Sequence, residues 1–322
     1  MKKFILKLIT YAICTILLIY SIQMALSFKI KNKSTNGLDN LVTTSNINAE
    51  LLLMGSSRCW AHFDPHFFES AFNIKKAVNI GVDGHSELSM TYVRLLDYLS
   101  YNKPPKFIII NVDPFISANS IDQYSRMVNK NKYARYAFYI NNRQWKTVDY
   151  FKFNFYEKYI PLYSIFKYQI FSDCLFGNNS SPYFQYGYEK HDNKWDTIQN
   201  PTSNTTAKKY FLKPKNIPEI KTSLQKIQTL CITHGVKLIC IQTPVYKSIY
   251  NEYEFNLTKE ICKDLNLDFF DLNVPYIRND ISNFYNSNHM NINGILKMNA
   301  IMLKNDTLKN ILSPIKNGLN PL

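Results

Sequence analysis

Glycine is scarce, at 9 of 322 residues, while Lys, Asn, Ile, Tyr and Phe abound. AT-rich codons produce that bias, so it carries no functional information. Acidic residues are also short, 24 against 38 basic ones, leaving a formal net charge of +14. A basic surface attracts nucleic acid, anionic lipid or an acidic polymer. Zinc-ligand spacing, an RNA-binding aromatic signature and a basic zipper are all missing, so no nucleic-acid partner is expected. No two cysteines form a CxxC pair, which removes zinc-ribbon and thioredoxin-type readings. Cys14 lies in an apolar N-terminal run, and the other five cysteines (59, 174, 231, 240 and 262) imply no disulfide framework. There is no internal repeat.

What is present begins with Met1-Lys2-Lys3, followed by an apolar run from Phe4 to Phe28 whose one charge is Lys7. From Leu8 to Phe28 no charge occurs, about the length that spans a bilayer. Ala25-Leu26-Ser27 resembles a signal-peptidase site, so cleavage is the alternative; the length of the run favours an uncleaved anchor. Lysines flank both sides, so the positive-inside rule does not orient it. Short N-terminal tails normally stay inside, which puts the rest outside the cytoplasm. The organisation expected is an anchor over 1–28, a polar linker over 29–48 and one α/β domain over 49–322.

Five short apolar runs read as strands: Glu50–Gly55, Lys76–Gly81, Phe107–Val112, Val236–Gln242 and Asp268–Leu272. Their near-continuous apolarity suits strands covered on both faces. Helical patterns over Ser86–Leu99, Ile217–His234, Leu257–Leu265 and Asn293–Leu303 lie between and after them. Alternation of this kind implies a parallel sheet with helices on both faces. The expected fold is α/β: a flavodoxin-like three-layer sandwich with five strands in the order 2-1-3-4-5. A stretch rich in Tyr and Phe, about 117–214, breaks the rhythm as a helical insertion, either an aromatic-packed cap, a substrate lid or a platform for sugars.

In open α/β sheets, ligands bind beyond the carboxyl ends of the strands. Gly55-Ser56-Ser57-Arg58 follows the first strand, Gly81-Val82-Asp83-Gly84-His85 the second, Asp113-Pro114 the third and Thr243-Pro244-Val245-Tyr246 the fourth; Asn286-Ser287-Asn288-His289 comes past the fifth. An alcohol, a base and free backbone N–H groups on one edge are what nucleophilic catalysis requires. Bland readings stand beside these. Ser57 is alternatively a helix cap, Gly84 a turn glycine, and Arg58 a partner of Asp64 or Asp83. His62, His66 and His85 approach the same edge, but no second ligand pair accompanies them, so no metal is expected.

Gly55-Ser56-Ser57 resembles the nucleophile turn of the SGNH (GDSL-like) hydrolase superfamily. Asn79-Ile80-Gly81-Val82-Asp83-Gly84 is similar to its second block, and Asn286-Ser287-Asn288-His289 to its C-terminal DxxH block. The serine pair, the anchor and the TPxY stretch resemble envelope members, including the D-alanine transfer protein of teichoic acid assembly and alginate O-acetyltransferase-like proteins. The resemblance implies Ser57 as nucleophile, His289 as general base, and an oxyanion hole from the N–H groups of Ser57 and Gly84. Arg58, Asp113 and Tyr246 are candidate substrate or supporting residues, and no cofactor is implied. Two departures matter: Asp113-Pro114-Phe115 replaces the third block's asparagine, with Asn111 inside the strand, and Asn286 stands where the acid belongs.

The function implied is serine-dependent O-acyl esterase or acyltransferase chemistry on a cell-surface polysaccharide or glycolipid, beside a membrane-bound O-acyltransferase. The alternative is an attenuated member that binds glycan or scaffolds such an acyltransferase.

Overall fold

The computed structural model describes residues 1–31, 47–81, 88–112, 154–167, 184–185, 187–196 and 217–313. The chain divides into two compact units. The first comprises Met1–Thr35 and Gln123–Ser181. Its helix α1, Lys2–Lys31, is long and apolar enough to cross a membrane over Lys2–Leu26, and a signal sequence has the same character. Phe4, Leu8, Ile16 and Leu17 all lie exposed on it. The hydroxyls of Thr10, Thr15 and Ser21 each donate to the carbonyl four residues back, at 2.8–2.9 Å. Ser and Thr within helices back-bond in this way. Two short helices, α5 (Phe155–Tyr159) and α6 (Tyr163–Lys167), belong to the same unit. Glu157 closes a capping box with Asn154 and pairs with Lys167 at 2.7 Å.

The second unit, Asn36–Asp122 with Pro182–Leu322, holds a five-stranded parallel sheet. Its strands are β1 (Leu51–Met54), β2 (Ala77–Asn79), β3 (Phe107–Asn111), β6 (Lys237–Gln242) and β7 (Asp268–Asp271). The spatial order is β2-β1-β3-β6-β7. It differs from the expected 2-1-3-4-5 because a two-stranded antiparallel hairpin, β4 (Phe184–Gln185) and β5 (Tyr188–Glu189), intervenes in the chain. No apolar run announced that hairpin.

Successive strand residues face opposite ways, and each set enters its own core. Leu52, Met54, Ile108, Ile110, Leu238 and Cys240 pack with α4 (Leu88–Tyr101), α7 (Ile217–Thr233) and α8 (Glu252–Asp264). Leu51, Leu53, Ile109, Ile239 and Ile241 pack with α3 (Pro65–Phe72), α10 (Ile292–Lys304) and α11 (Asp306–Leu312). The double burial explains why the strands read as unbroken apolar runs.

Helix α8 begins five residues before the start expected at Leu257, because Asn251 caps it and Glu252 and Glu254 occupy its first turn. Two helices that sequence periodicity did not resolve, α2 (Ser57–His62) and α3, follow the nucleophile turn directly. They are separated by Phe63-Asp64, where Asp64 accepts from the His66 N–H at 2.9 Å and caps α3. A four-residue helix, α9 (Pro275–Arg278), precedes the histidine loop.

Candidate active site

Strand β1 is fully buried and delivers the chain to a sharp turn at Gly55, whose φ is +141°. A Cβ there would stand 3.1 Å from Asn111 Cβ, Asn111 O and Cys59 Cβ, so the turn requires glycine. Asn111 is the last residue of β3, as expected, and it wedges against this turn. Ser56 then caps α2, its Oγ accepting from the Arg58 N–H at 3.2 Å. Capping therefore falls to Ser56 and not to Ser57. The Ser57 hydroxyl is left to another partner, and its N–H sits at the first helical position, where no intrahelical acceptor exists.

That partner is His289, whose Nε2 lies 2.8 Å from Ser57 Oγ. On the far side of the ring, Nδ1 lies 3.0 Å from Asn286 Oδ1. The same oxygen accepts from the backbone N–H groups of Asn288 at 2.9 Å and His289 at 3.0 Å. Backbone N–H groups only donate, so the amide atom facing them is the oxygen. It follows that Nδ1 carries the ring proton and Nε2 presents its lone pair to the serine. Asn286 thus selects the tautomer a general base needs.

The histidine loop is tightly held. Phe284 and Met290 form an antiparallel bridge, and the Tyr285 N–H donates to the His289 carbonyl at 3.1 Å. The Tyr246 N–H donates to the Ser287 carbonyl at 3.0 Å. The Tyr246 ring is buried edge-on to Trp195 and Phe284, so this residue supports the loop. Asn291 caps α10 and donates to the carbonyls of Ser282 and Phe284.

Around the His289 ring stand Trp60 at 6.1 Å and Tyr285 at 5.4 Å between centroids, both near-parallel, with His62 edge-on. The residue is half-buried among these neighbours. Burial, then the charge of Arg58, then His191, depress the His289 pKa to about 3. The imidazole is neutral at physiological pH. Arg58 is buried, and burial alone lowers its pKa to about 9, which leaves it cationic at neutral pH.

The remaining candidates fall into three groups. Gly84, Asp83, His85 and Asp113 lie outside the described residues. His66 is exposed and pairs with Glu69 at 3.1 Å, whereas both ring nitrogens of the buried His62 are engaged by protein. The two share no ligand geometry, and among the described residues no cluster of three metal-ligating groups occurs. Asn79, in the second block, is buried and fixes this corner. Its Nδ2 donates to the carbonyls of Cys59 and Phe63, and its Oδ1 accepts from the Gly81 N–H, each at 2.9 Å.

Sequence reasoning missed His191, Tyr285 and Trp60 as neighbours of the base. His191 stacks on Tyr285 with centroids 3.9 Å apart and stands 5.8 Å from Trp60. Its carbonyl accepts from the Ile292 N–H at 2.9 Å. Residues 187–196 of the aromatic-rich stretch are therefore part of the α/β unit and border the base. His191 itself is held to a pKa of about 4 by burial. The density of aromatics was the available signal, but it has no period to say which of them face the site.

No family model matches the chain, and no curated protein matches it. Among solved structures it is similar to one from Bacteroides fragilis described as a "putative acylhydrolase", with 11% identity, 85% of this chain and 95% of that chain covered, and a TM-score of 0.41. A likeness that distant bears on neither activity nor substrate.

Proposed function

We propose that this chain is a serine-dependent O-acyl esterase or acyltransferase of the SGNH type, built on a flavodoxin-like three-layer frame. The observation that carries the reading is the contact between Ser57 Oγ and His289 Nε2 at 2.8 Å, with Nδ1 held by Asn286. Ser57 attacks the acyl carbonyl as its proton passes to His289 Nε2. The oxyanion of the tetrahedral intermediate meets the Ser57 N–H. Collapse expels the alcohol, which takes the proton from His289 and leaves the acyl group on Ser57. Water or a sugar hydroxyl, deprotonated by His289, then releases it.

The apolar α1 supports a single-pass anchor with the α/β unit outside the cytoplasm, and the net charge of +14 suits an anionic envelope surface. A cell-surface polysaccharide or glycolipid is the proposed substrate, and a membrane-bound O-acyltransferase the proposed partner. The test is acetate release from a p-nitrophenyl ester and from an O-acetylated glycan. Wild type should release acetate and Ser57→Ala should not; equal release by both rejects the reading. Adding a sugar acceptor separates transfer from hydrolysis.

A second reading, an attenuated protein that binds glycan or scaffolds an acyltransferase, draws on a specific feature. Asn286 gives the imidazolium no negative charge, and the neighbouring Arg58 opposes its formation.

A further inference from the structure

We infer that His62 is a positioning residue that sets the separation of Ser57 from His289, an inference that rests on the serine-nucleophile reading. Helix α2 carries Ser57 at its first residue and His62 at its last. The His62 ring is fully buried, and its Nε2 accepts the backbone N–H of Met290 at 2.9 Å. Met290 is the residue after the base. Hydrogen bonds therefore join α2 to the histidine loop at both of its ends, Ser57 to His289 and His62 to Met290, with the Trp60 ring against His289 between them.

The tautomer follows from the donors. The Met290 N–H can only donate, so Nε2 is unprotonated and Nδ1 carries the hydrogen. Nδ1 lies 2.9 Å from Thr243 Oγ1, which accepts it. Thr243 is fully buried in the first position past β6. His62 thus joins three segments that arrive from distant parts of the chain: the helix with the nucleophile, the end of the fourth sheet strand, and the loop with the base. The Met290 side chain is buried in the core, and Asn291 caps the next helix, so a loop held at this point moves as one piece with His289.

The Phe284–Met290 bridge and the Tyr246 N–H bond to the Ser287 carbonyl fix the loop's own shape, whereas His62 ties it directly to the helix that carries the nucleophile. Misplacement of reacting groups by about 1 Å costs on the order of a hundredfold in rate. A hydrophobic replacement fills the space and removes both bonds. Glutamine keeps an acceptor and a donor on one planar amide and can serve Met290 and Thr243 together.

The experiment measures the rate at which a fluorophosphonate probe labels Ser57 in the full-length, detergent-solubilised protein, with thermal unfolding followed in parallel. Wild type, His62→Leu, His62→Gln and Thr243→Val are compared. The inference expects His62→Leu to label about tenfold to a hundredfold more slowly, Thr243→Val to fall between it and wild type, and His62→Gln to recover most of the wild-type rate. Folded His62→Leu labelling at the wild-type rate overturns the inference and leaves the nucleophile reading intact. Should His62→Leu not fold, Thr243→Val at the wild-type rate overturns it in the same way. A wild-type protein that takes no label overturns the nucleophile reading and this one with it.

Discussion

Replacing Asn286 by Asp should raise ester-cleaving activity and move its pH dependence. In serine proteases, changing the triad acid to its amide costs about four orders of magnitude, through the wrong tautomer. Here the tautomer is already right, because two backbone N–H groups fix the amide oxygen opposite Nδ1. Only the missing charge remains to be restored. A carboxylate about 4 Å from the centre of an imidazolium, at an effective dielectric of about 20, stabilises it by about 4 kcal/mol, a ceiling near three decades of rate. Desolvation of the new carboxylate reduces the gain, so an increase of at least about tenfold is expected. The same charge lifts the His289 pKa from about 3, carrying the acid limb of the pH–rate profile upward. Initial rates on a short-chain p-nitrophenyl ester from pH 4 to 9 measure both effects, with Ser57→Ala in the same background as the control. Nδ1 has one hydrogen and gives it to Asn286, which leaves no position for a substitute acid on that nitrogen. An unchanged rate and an unmoved acid limb would refute the electrostatic argument.

Acid should destabilise the α/β unit well before its carboxylates titrate. His62, His191 and His289 are all depressed below 6.5, chiefly by burial, to about 4 for His191 and about 3 for His289. The unfolded chain therefore binds more protons below pH 6.5. Stability is complete above that value and falls as pH drops towards 4, by about 1.4 kcal/mol per histidine per pH unit. Thermal unfolding between pH 7.5 and 4.5 measures the slope, and a flat midpoint contradicts it. Gly294→Ala should destabilise by about 3 kcal/mol, since its Cβ would lie 2.3 Å from the Asn283 carbonyl oxygen; chemical denaturation reads this, and a loss under about 0.5 kcal/mol would show that α10 shifts freely. The full chain should fractionate with membrane and a chain starting at residue 29 should not, while protease added to spheroplasts should digest the α/β unit; complete protection refutes the orientation.

The framework was legible because parallel strands buried on both faces leave a strong trace. Leu51–Met54 and Phe107–Asn111 are apolar throughout or nearly so, and the first leads through the Gly55 turn to Ser57. Ser57 follows the first strand and His289 lies past the fifth, and the fold brings Oγ of one to 2.8 Å from Nε2 of the other. Three features were not legible, each for a local reason. His62 and His66 look like a ligand pair at helical spacing, but the break at Phe63-Asp64 puts them on different helices, one buried and one exposed. Asn286 looks like a defect until the backbone donors that orient it are seen, and those depend on loop geometry. His191 sits in a stretch with neither helical nor strand period, so nothing along the chain marked its approach to Tyr285.

The measurement that bears most directly on the central claim is covalent labelling of the intact, solubilised protein with a fluorophosphonate, read by intact mass and by peptide mapping. A serine whose hydroxyl faces the unprotonated nitrogen of a neutral imidazole should take one adduct, and the modified peptide should contain Ser57. Ser57→Ala should take none, and His289→Ala should react far more slowly. An adduct elsewhere, or no adduct in a wild-type protein that unfolds cooperatively on heating, would contradict the account.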